Sequence, residues 1–477
     1  MDRRRYHGPA GGHRTRARIT IALICFASVG IISLVALMLS VLVPSPPPQA
    51  AQSPTDTKEG PQLRAVELPA AMVPVDEATI FVSIAAFRDN ECVTTLESLL
   101  TRSKNQHRVF LGISEERHPT DKSCLEAPHV LNRFALTHTR TMRWKDVVPA
   151  AFVSRDSHAT PVYTPLLHAR RDDDVITCIQ SSDAAADESR QPGLHPLSGC
   201  RIVSRLGNPD DARGPTYGRY LTSLLYNNQD YYMVVDSHSR FVPGWDVKMI
   251  ERARLMPTRG VMSHYPNGYV PENPDGEADK KFVMSMCKGV ILPNNIPKLG
   301  ARWIPLQSSP KLQGFVAAGY IFGDAQFVKD VPFDPYLPYL FDGEEILYSA
   351  RLWTNGWDSY SPGDAFLYHN YARKDAPRFW SVMQGGDVHG GRMLQQRTAI
   401  RRALYLLKRR ELNTTRFIVS EEEAHSLKPE IGCDDQYFGA GKVRSLDDYW
   451  RFTQLSDEYV KEKDNEGRWM GGEGLCN

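Results

Sequence analysis

One segment limits the fold more than any other: an uncharged strand pattern that ends in three polar residues. Residues 231–235 read YYMVV and are followed directly by Asp236, Ser237 and His238. A short apolar run of this kind is typical of a strand buried within a parallel sheet. Because ligands bind at the carboxyl ends of such strands, we expect the polar triplet to lie at a functional edge.

Two further strand patterns predict a sheet around this segment. Residues 79–87 read TIFVSIAAF and residues 109–114 read VFLGIS, with a helical pattern between them. This spacing indicates a βαβ unit and therefore an α/β fold. Arg88 and Asp89 come directly after the first strand, so we expect them at the same edge as the triplet.

Asp236 and His238 have the spacing of two ligands of one divalent ion. Residues i and i+2 of an extended segment point the same way. Carboxylate oxygens suit Mn²⁺ or Mg²⁺, and imidazole suits transition metals. A polar strand end with a hydrogen-bonded histidine is the alternative interpretation.

Four segments of the chain resemble glycosyltransferase family 60, the retaining polypeptide α-N-acetylglucosaminyltransferases. They are residues 81–89, 214–221 and 319–371 and the segment around this triplet. The resemblance covers most of residues 79–375 and is poorest over 150–213. A fainter similarity leads to the animal mucin-type polypeptide N-acetylgalactosaminyltransferases. The resemblance implies a GT-A-like fold with a mixed central sheet, Mn²⁺ or Mg²⁺ as cofactor, and UDP-GlcNAc as donor. It also implies transfer to the Thr or Ser hydroxyls of a polypeptide, as in the initiation of mucin-type O-glycans.

The same resemblance assigns roles to individual residues. It implies that the metal ligands are Asp236, His238 and His369. It implies that the nucleotide sugar is held by Arg88, Asp89, Arg219, Gly319 and Arg373. It places Glu344 and Glu345, from the motif FDGEE, beside the transferred sugar and the acceptor. Local alternatives stay open, namely a helix cap for the two acids, a core histidine, a tightly packed glycine and ordinary salt bridges for the arginines.

The N-terminus predicts a membrane anchor. Residues 19–43 carry no charge and follow six arginines. The run is long enough to span a bilayer, longer than a signal-peptide core, and its arginines should stay cytosolic. We therefore predict a tail over 1–18, an anchor over 19–43, a Pro-rich stem over 44–78, and a lumenal catalytic domain over 79–477 whose C-terminal extension begins at about 376. With the family resemblance this predicts a single-pass type II protein of the Golgi membrane; a buried core helix is the alternative.

The cysteines and the net charge further narrow the class of protein to which the chain can belong. Seven cysteines follow the apolar run, so they form at most three disulfides, and their spacing fits no structural zinc site. Asn413 begins a glycosylation sequon. The formal net charge of +1 gives no overall preference for nucleic acid. The expected partners are a UDP-sugar, a Thr/Ser-rich polypeptide and a membrane, with no nucleic acid.

Two charged segments allow a plain structural interpretation. Residues 150–213 are less regular, and within them the stretches around 170–174, RRDDD, and 181–196 are interpreted as a surface excursion. Residues 170–174 are expected to form a solvated charged loop. Residues 392–411 are expected to form a packed helix with a basic outer face, or else a surface for membrane headgroups or an acidic partner. Two functional alternatives also stand: an enzyme directed to hydroxyproline or a glycan, and a tethered sugar-binding protein without turnover.

Overall fold

The computed structural model describes residues 73–147, 174–181, 196–269, 281–373, 376–384, 391–409 and 435–476. These residues belong to one compact unit, Arg64–Asn477. The predicted tail and anchor, most of the stem and the Asn413 sequon lie outside the described residues. In the described ranges, no helix has the length and apolar character needed to cross a membrane.

The strands are β1 (Ile80–Phe87), β2 (Val109–Glu116), β3 (His138–Arg143), β4 (Val175–Gln180), β5 (Ile202–Gly207), β6 (Tyr231–Asp236), β7 (Ser239–Phe241), β8 (Gly260–Ser263), β9 (Asn267–Gly268), β10 (Phe282–Ile291), β11 (Pro297–Pro305), β12 (Lys311–Gln313), β13 (Tyr320–Asp324), β14 (Asp358–Ser361), β15 (Leu367–His369), β16 (Glu462–Lys463) and β17 (Trp469–Gly471).

The helices are α1 (Cys92–Arg102), α2 (Pro128–Arg133), α3 (Pro215–Ser223), α4 (Trp245–Ala253), α5 (Gln326–Asp330), α6 (Glu344–Thr354), α7 (Phe379–Gln384), α8 (Gly391–Leu406), α9 (Asp435–Phe438) and α10 (Leu446–Phe452).

A large mixed sheet forms the centre of the fold, with the order β12-β14-β8-β13-β6-β1-β2-β5-β4-β3. Strand β1 pairs in parallel with both β2 and β6, and β13 pairs antiparallel with β6. The prediction of an α/β fold with a mixed central sheet is confirmed. Ala85 of β1 pairs with Asp236 of β6, so the carboxyl ends of these strands lie at one edge.

Side-chain alternation divides the core between the two faces of this sheet. In β1, Ile80, Val82 and Ile84 belong to the hydrophobic cluster that contains the buried face of α1. Phe81 faces the opposite way and belongs to the cluster that contains α3. The period of two thus buries both faces of the central strands, as their uncharged sequence predicts.

Residues 150–213, which the sequence indicates to be less regular, contribute two strands of the central sheet where the structure describes them. Strands β4 and β5 extend the central sheet beyond β2, and Ile176 and Val203 are buried there. Asp174 accepts a hydrogen bond of 2.8 Å from Nε of the fully buried Arg205, so it is not a residue of a solvated loop. Asp172 and Asp173 lie outside the described residues.

The basic helix also differs from its prediction. The side chain of Arg401 is exposed, but Arg402 is buried and donates a 2.7 Å hydrogen bond to the buried Asp334. Just beyond the helix, Arg409 is buried over the ring of Trp450. Two of the arginines therefore point inward because the core supplies a carboxylate and an aromatic ring, and the helix does not present a uniformly basic outer face.

In the part of the chain that the structure describes, three disulfides tie distant segments together, which is the maximum that the seven cysteines after the apolar run allow. They join Cys92 to Cys124, Cys178 to Cys200 and Cys287 to Cys476. The last one holds the C-terminus against β10, where β17 also pairs with that strand. The C-terminal segment is therefore part of the same folded unit as the central sheet, while Cys433 lies outside the described residues.

Candidate active site

A small three-stranded sheet brings the two predicted histidine ligands together. The chain leaves β6 at Asp236, turns through Ser237 and His238, and enters β7, which pairs antiparallel with β15. The amide of Asn370, just after β15, donates a 3.0 Å hydrogen bond to the carbonyl of His238. As a result, one ligand atom each of Asp236, His238 and His369 lies within 4.8 Å of the others.

Asp236 is held in its ionised form. Its Oδ1 accepts a 2.9 Å hydrogen bond from Arg219 Nη2, and its Oδ2 lies 3.2 Å from His369 Nε2. Burial favours the neutral acid, but the bond to His369 and the charge of Arg219 outweigh it and hold the pKa of Asp236 far below its usual range. A permanently charged carboxylate therefore faces the two imidazoles.

His238 is oriented by a buried carboxylate. Asp89 Oδ2 lies 2.7 Å from His238 Nδ1 and accepts a 2.6 Å hydrogen bond from the Ser237 hydroxyl. Burial lowers the pKa of His238, which favours a neutral ring with Nδ1 donating to Asp89. Its Nε2 is then left as a free lone pair, which is the usual arrangement of a histidine that binds a metal.

These three residues fit a divalent ion on the chemistry of their donors. They offer one carboxylate and two imidazoles, and the His238 and His369 rings lie 4.5 Å apart in an edge-to-face arrangement. His369 Nδ1 is buried and has no hydrogen-bond partner among the described residues. Leaving a buried polar atom without a partner is costly. A bound ion would engage the imidazole ring of His369, to which this atom belongs.

Arg219 connects this group to the first acid of the FDGEE motif. Its Nη1 donates to both carboxylate oxygens of Glu344, at 2.8 and 2.9 Å, while Nη2 donates to Asp236. Burial raises the pKa of Glu344 although Arg219 opposes the shift. The prediction gave Arg219 a phosphate contact, whereas the structure shows both of its terminal nitrogens engaged by carboxylates.

Glu345 has a different environment from Glu344. Its Oε1 accepts a 2.9 Å hydrogen bond from the amide of Ala318, and its Oε2 accepts one of 2.7 Å from the Tyr265 hydroxyl. Burial raises the pKa of Glu345 to about 7. Because the carboxylate holds the backbone that leads to Gly319, Glu345 supports the wall of the site.

A cavity of about 540 Å³ opens over these groups, a size that suits a small-molecule ligand. Asp236, His238, His369, Glu344 and Glu345 all contribute to its lining. Gly319 lies at its floor, where an added Cβ would come within 2.8 Å of Asp236 Oδ2. Gly319 therefore leaves room for the carboxylate of Asp236.

Two of the predicted nucleotide contacts occupy other positions. Arg88 does not belong to the cavity lining; its backbone has a φ of 45°, and Nε pairs with Asp121 Oδ2 over 2.8 Å. Asp89 is buried behind His238 and also lies outside the lining. In the structure Arg88 thus forms a salt bridge outside the cavity, and Asp89 contacts the ring of His238. Arg373 does line the cavity, with Nη2 lying 3.3 Å from Asp89 Oδ2.

The sequence interpretation missed several residues of the cavity. The ring of Tyr371 lies 4.2 Å from that of His369, and the rings of Phe341, Phe379 and Trp380 pack together with centroids 4.9–5.5 Å apart. Phe341 is the first residue of the FDGEE motif and Tyr371 follows His369 by two positions, so closeness to the predicted site residues was a usable indication. No local sequence pattern indicated Phe379 and Trp380, because they reach the cavity through tertiary packing.

A model of the family described as Glycosyltransferase (GlcNAc) matches residues 79–459. The chain belongs to this family. The match covers most of the sequence and includes every residue of the candidate site, so the described fold is that of a glycosyltransferase domain. A search among curated proteins found no match.

Solved structures show weaker likenesses. The structure of GalNAc-T7 with UDP, GalNAc and Mn²⁺ is 12% identical with a TM-score of 0.38, covering 69% of this chain and 48% of that one. S. aureus TarS is 11% identical with a TM-score of 0.29, covering 68% and 43%. TarS 1–349 is 12% identical with a TM-score of 0.28, covering 75% and 77%. This chain thus spans about half the length of the GalNAc-T7 structure.

Proposed function

We propose that this glycosyltransferase has a GT-A fold and moves GlcNAc from UDP-GlcNAc to Thr or Ser hydroxyls of a polypeptide, with retention of configuration, in a reaction that depends on Mn²⁺ or Mg²⁺. The observation that carries the proposal is the convergence of Asp236, His238 and His369 in the cavity that also contains Glu344. The family match supports glycosyl transfer. The donor and acceptor rest on the resemblance of the site motifs to family 60.

In the proposed reaction the acceptor oxygen forms a bond to the anomeric carbon while the bond from that carbon to the UDP phosphate oxygen breaks. The acceptor's proton passes to the departing phosphate. A divalent ion held by Asp236, His238 and His369 would neutralise the charge on the departing diphosphate.

The remaining tasks fall to this chain's own side chains. Arg373 lines the cavity, and its planar guanidinium is suited to pair with phosphate oxygens. Glu344 is fixed by Arg219 and lines the same cavity, where an ionised carboxylate stabilises positive charge at the anomeric carbon. Glu345 keeps the Ala318 backbone in place and is a positioning residue.

We also propose that residues 19–43 anchor the chain as a single-pass type II protein of the Golgi membrane, with residues 79–477 in the lumen. The support is the uncharged run with six arginines before it. Protease treatment of sealed microsomes should leave the catalytic domain intact and remove only a tag placed at residue 1. Cleavage of the domain in sealed vesicles would contradict this orientation.

The experiment for the activity uses the purified full-length chain with Mn²⁺, a panel of UDP-sugars and a Thr-rich peptide. A matched peptide with hydroxyproline in place of Thr serves as the acceptor control. We expect UDP-GlcNAc to give a Thr-linked sugar whose anomeric proton shows the α configuration by NMR. Transfer to hydroxyproline alone, a β-linked product, or no transfer from any UDP-sugar would contradict the respective part of the proposal.

A further inference from the structure

The two histidines of the proposed metal site come from distant parts of the chain, so something must hold their strands in register. His238 and His369 are joined through the backbone: Asn370 donates its amide to the carbonyl of His238 over 3.0 Å, and Tyr269 donates its amide to the carbonyl of His369 over 3.1 Å. The strands involved are short, with three residues in β7 and β15 and two in β9. Sheets of this size have little stability of their own.

One side chain outside this small sheet contacts all three of its strands or their flanking residues. Glu91, at the N-terminal end of α1, accepts hydrogen bonds from the Tyr269 hydroxyl and from Asn370 Nδ2. It also pairs with Arg240 Nη2 over 3.2 Å, and the Arg240 guanidinium lies 4.9 Å over the ring of Tyr269. Arg240 belongs to β7, Asn370 follows β15 and Tyr269 follows β9. Both Tyr269 and Asn370 are buried and the side chain of Glu91 is 22% exposed, so these bonds are partly shielded from water.

The contact with Asn370 extends to the turn that carries Arg373. Because Asn370 gives its Nδ2 to Glu91, its Oδ1 faces the other way and accepts from the amides of Ala372 and Arg373, at 3.0 and 3.3 Å. Glu91 therefore fixes which end of the Asn370 amide points to the turn. A side chain that donates at position 91 would face the NH₂ group of Asn370 with a second donor. If Asn370 turned to avoid this, its NH₂ group would face the backbone amides of Ala372 and Arg373, which are also donors.

We propose that Glu91 is a positioning residue that sets the metal affinity of the site by locking the strands of His238 and His369 to each other. It is separate from Asp89, which contacts the His238 ring itself. The carboxylate acts through Tyr269, Asn370 and Arg240, and it does not belong to the lining of the cavity. This inference rests on the proposed metal site.

The test measures Mn²⁺ binding by titration calorimetry on the full-length chain without donor or acceptor. The Glu91→Gln variant keeps the size of the side chain but replaces one of its two acceptor oxygens with a donor, so it cannot accept from Asn370, Tyr269 and Arg240 as Glu91 does. We expect it to weaken Mn²⁺ binding by about 10- to 100-fold, the range for residues that orient metal ligands. The matched control is Glu97→Gln on the same helix, whose carboxylate pairs with the exposed His129. It should bind Mn²⁺ like the wild type.

A second variant separates positioning from general damage. In the double variant Glu91→Gln with Asn370→Asp, the new carboxylate accepts from the side-chain amide introduced at position 91 and from the backbone amides of Ala372 and Arg373, while net charge is unchanged. The double variant should recover most of the Mn²⁺ affinity. Equal affinity in the wild type and Glu91→Gln, or no recovery in the double variant, would overturn the proposal.

Two further outcomes are informative. If Glu91→Gln does not fold, Tyr269→Phe replaces it, because this change removes one hydrogen bond to Glu91 and keeps the ring; unchanged Mn²⁺ affinity in that variant would also overturn the proposal. If the wild-type chain itself binds no Mn²⁺, then the proposed metal site fails, which is distinguishable from a failure of Glu91 alone.

Discussion

Arg219 and Glu344 form a buried ion pair, with 2.8 Å between Nη1 and Oε1. The same guanidinium holds Asp236 through Nη2. One arginine thus joins the proposed metal site to Glu344, the acid proposed to lie beside the transferred sugar. This arrangement ties the geometry of the two groups together, and it also leads to a stability prediction.

We expect Arg219→Met to lower the free energy of unfolding by about 3–5 kcal/mol, because it leaves a buried carboxylate without its partner. Chemical denaturation measures this loss. The control is Arg451→Met, which removes the partner of Asp448 in an exposed ion pair and should cost less than about 1 kcal/mol. Adding Glu344→Gln to Arg219→Met should restore part of the stability. Similar small losses in both single variants would argue that the Arg219 pair is not buried as described.

Gly319 provides a test of the space around Asp236. In Gly319→Ala the new methyl would lie 2.8 Å from Asp236 Oδ2, so the carboxylate must shift from the position in which it faces the histidines. We expect Mn²⁺ affinity to fall by about 10-fold. Gly300→Ala is the control, since its Cβ meets only Lys288 Cβ at 3.6 Å, an ordinary contact. Mn²⁺ affinity that is equal in the two variants would count against the position of Gly319.

The raised pKa of Glu345 predicts that the stability of the fold depends on pH. Burial raises its pKa to about 7 from an ordinary 4.5, so between these values the folded chain binds a proton that the unfolded chain has released. Its contribution to stability is therefore fully present below about pH 4.5 and is lost as pH rises to about 7. Glu345→Gln removes this titration. The difference in unfolding free energy should move in favour of the variant from pH 5 to pH 7.5, with the partly exposed Glu97→Gln as the control. Parallel curves for Glu345→Gln and the wild type would refute the assignment.

The sequence predicts local features of the site well and their partners poorly. Strand β6 and the polar triplet after it follow from an uncharged run that ends abruptly, and the buried face of α1 follows from its helical period. Arg219 was found as a candidate, but its partners lie 17 and 125 positions away, and no local pattern specifies which of them it meets.

The errors have the same physical origin. Strands β4 and β5 are buried by pairing with each other and with β2, and these contacts depend on tertiary structure rather than on local hydrophobic period. Arg402 was predicted on a basic outer face because other residues of its helix form the apolar face, but Asp334 supplies a buried carboxylate 68 positions away. The role of Asp89 stays a prediction, but its contact with His238, 149 positions away, has no local sequence pattern and follows only from the fold.

The most direct test of the central claim is the release of UDP from UDP-GlcNAc by the full-length chain in the presence of a Thr-rich peptide, measured against Mn²⁺ concentration for the wild type and for Asp236→Asn. We predict turnover that saturates with Mn²⁺, stops on chelation and falls in Asp236→Asn by more than the roughly 10- to 100-fold typical of residues that only orient a metal ligand. Turnover that persists without divalent ions, or that survives in a folded Asp236→Asn variant, would contradict the account.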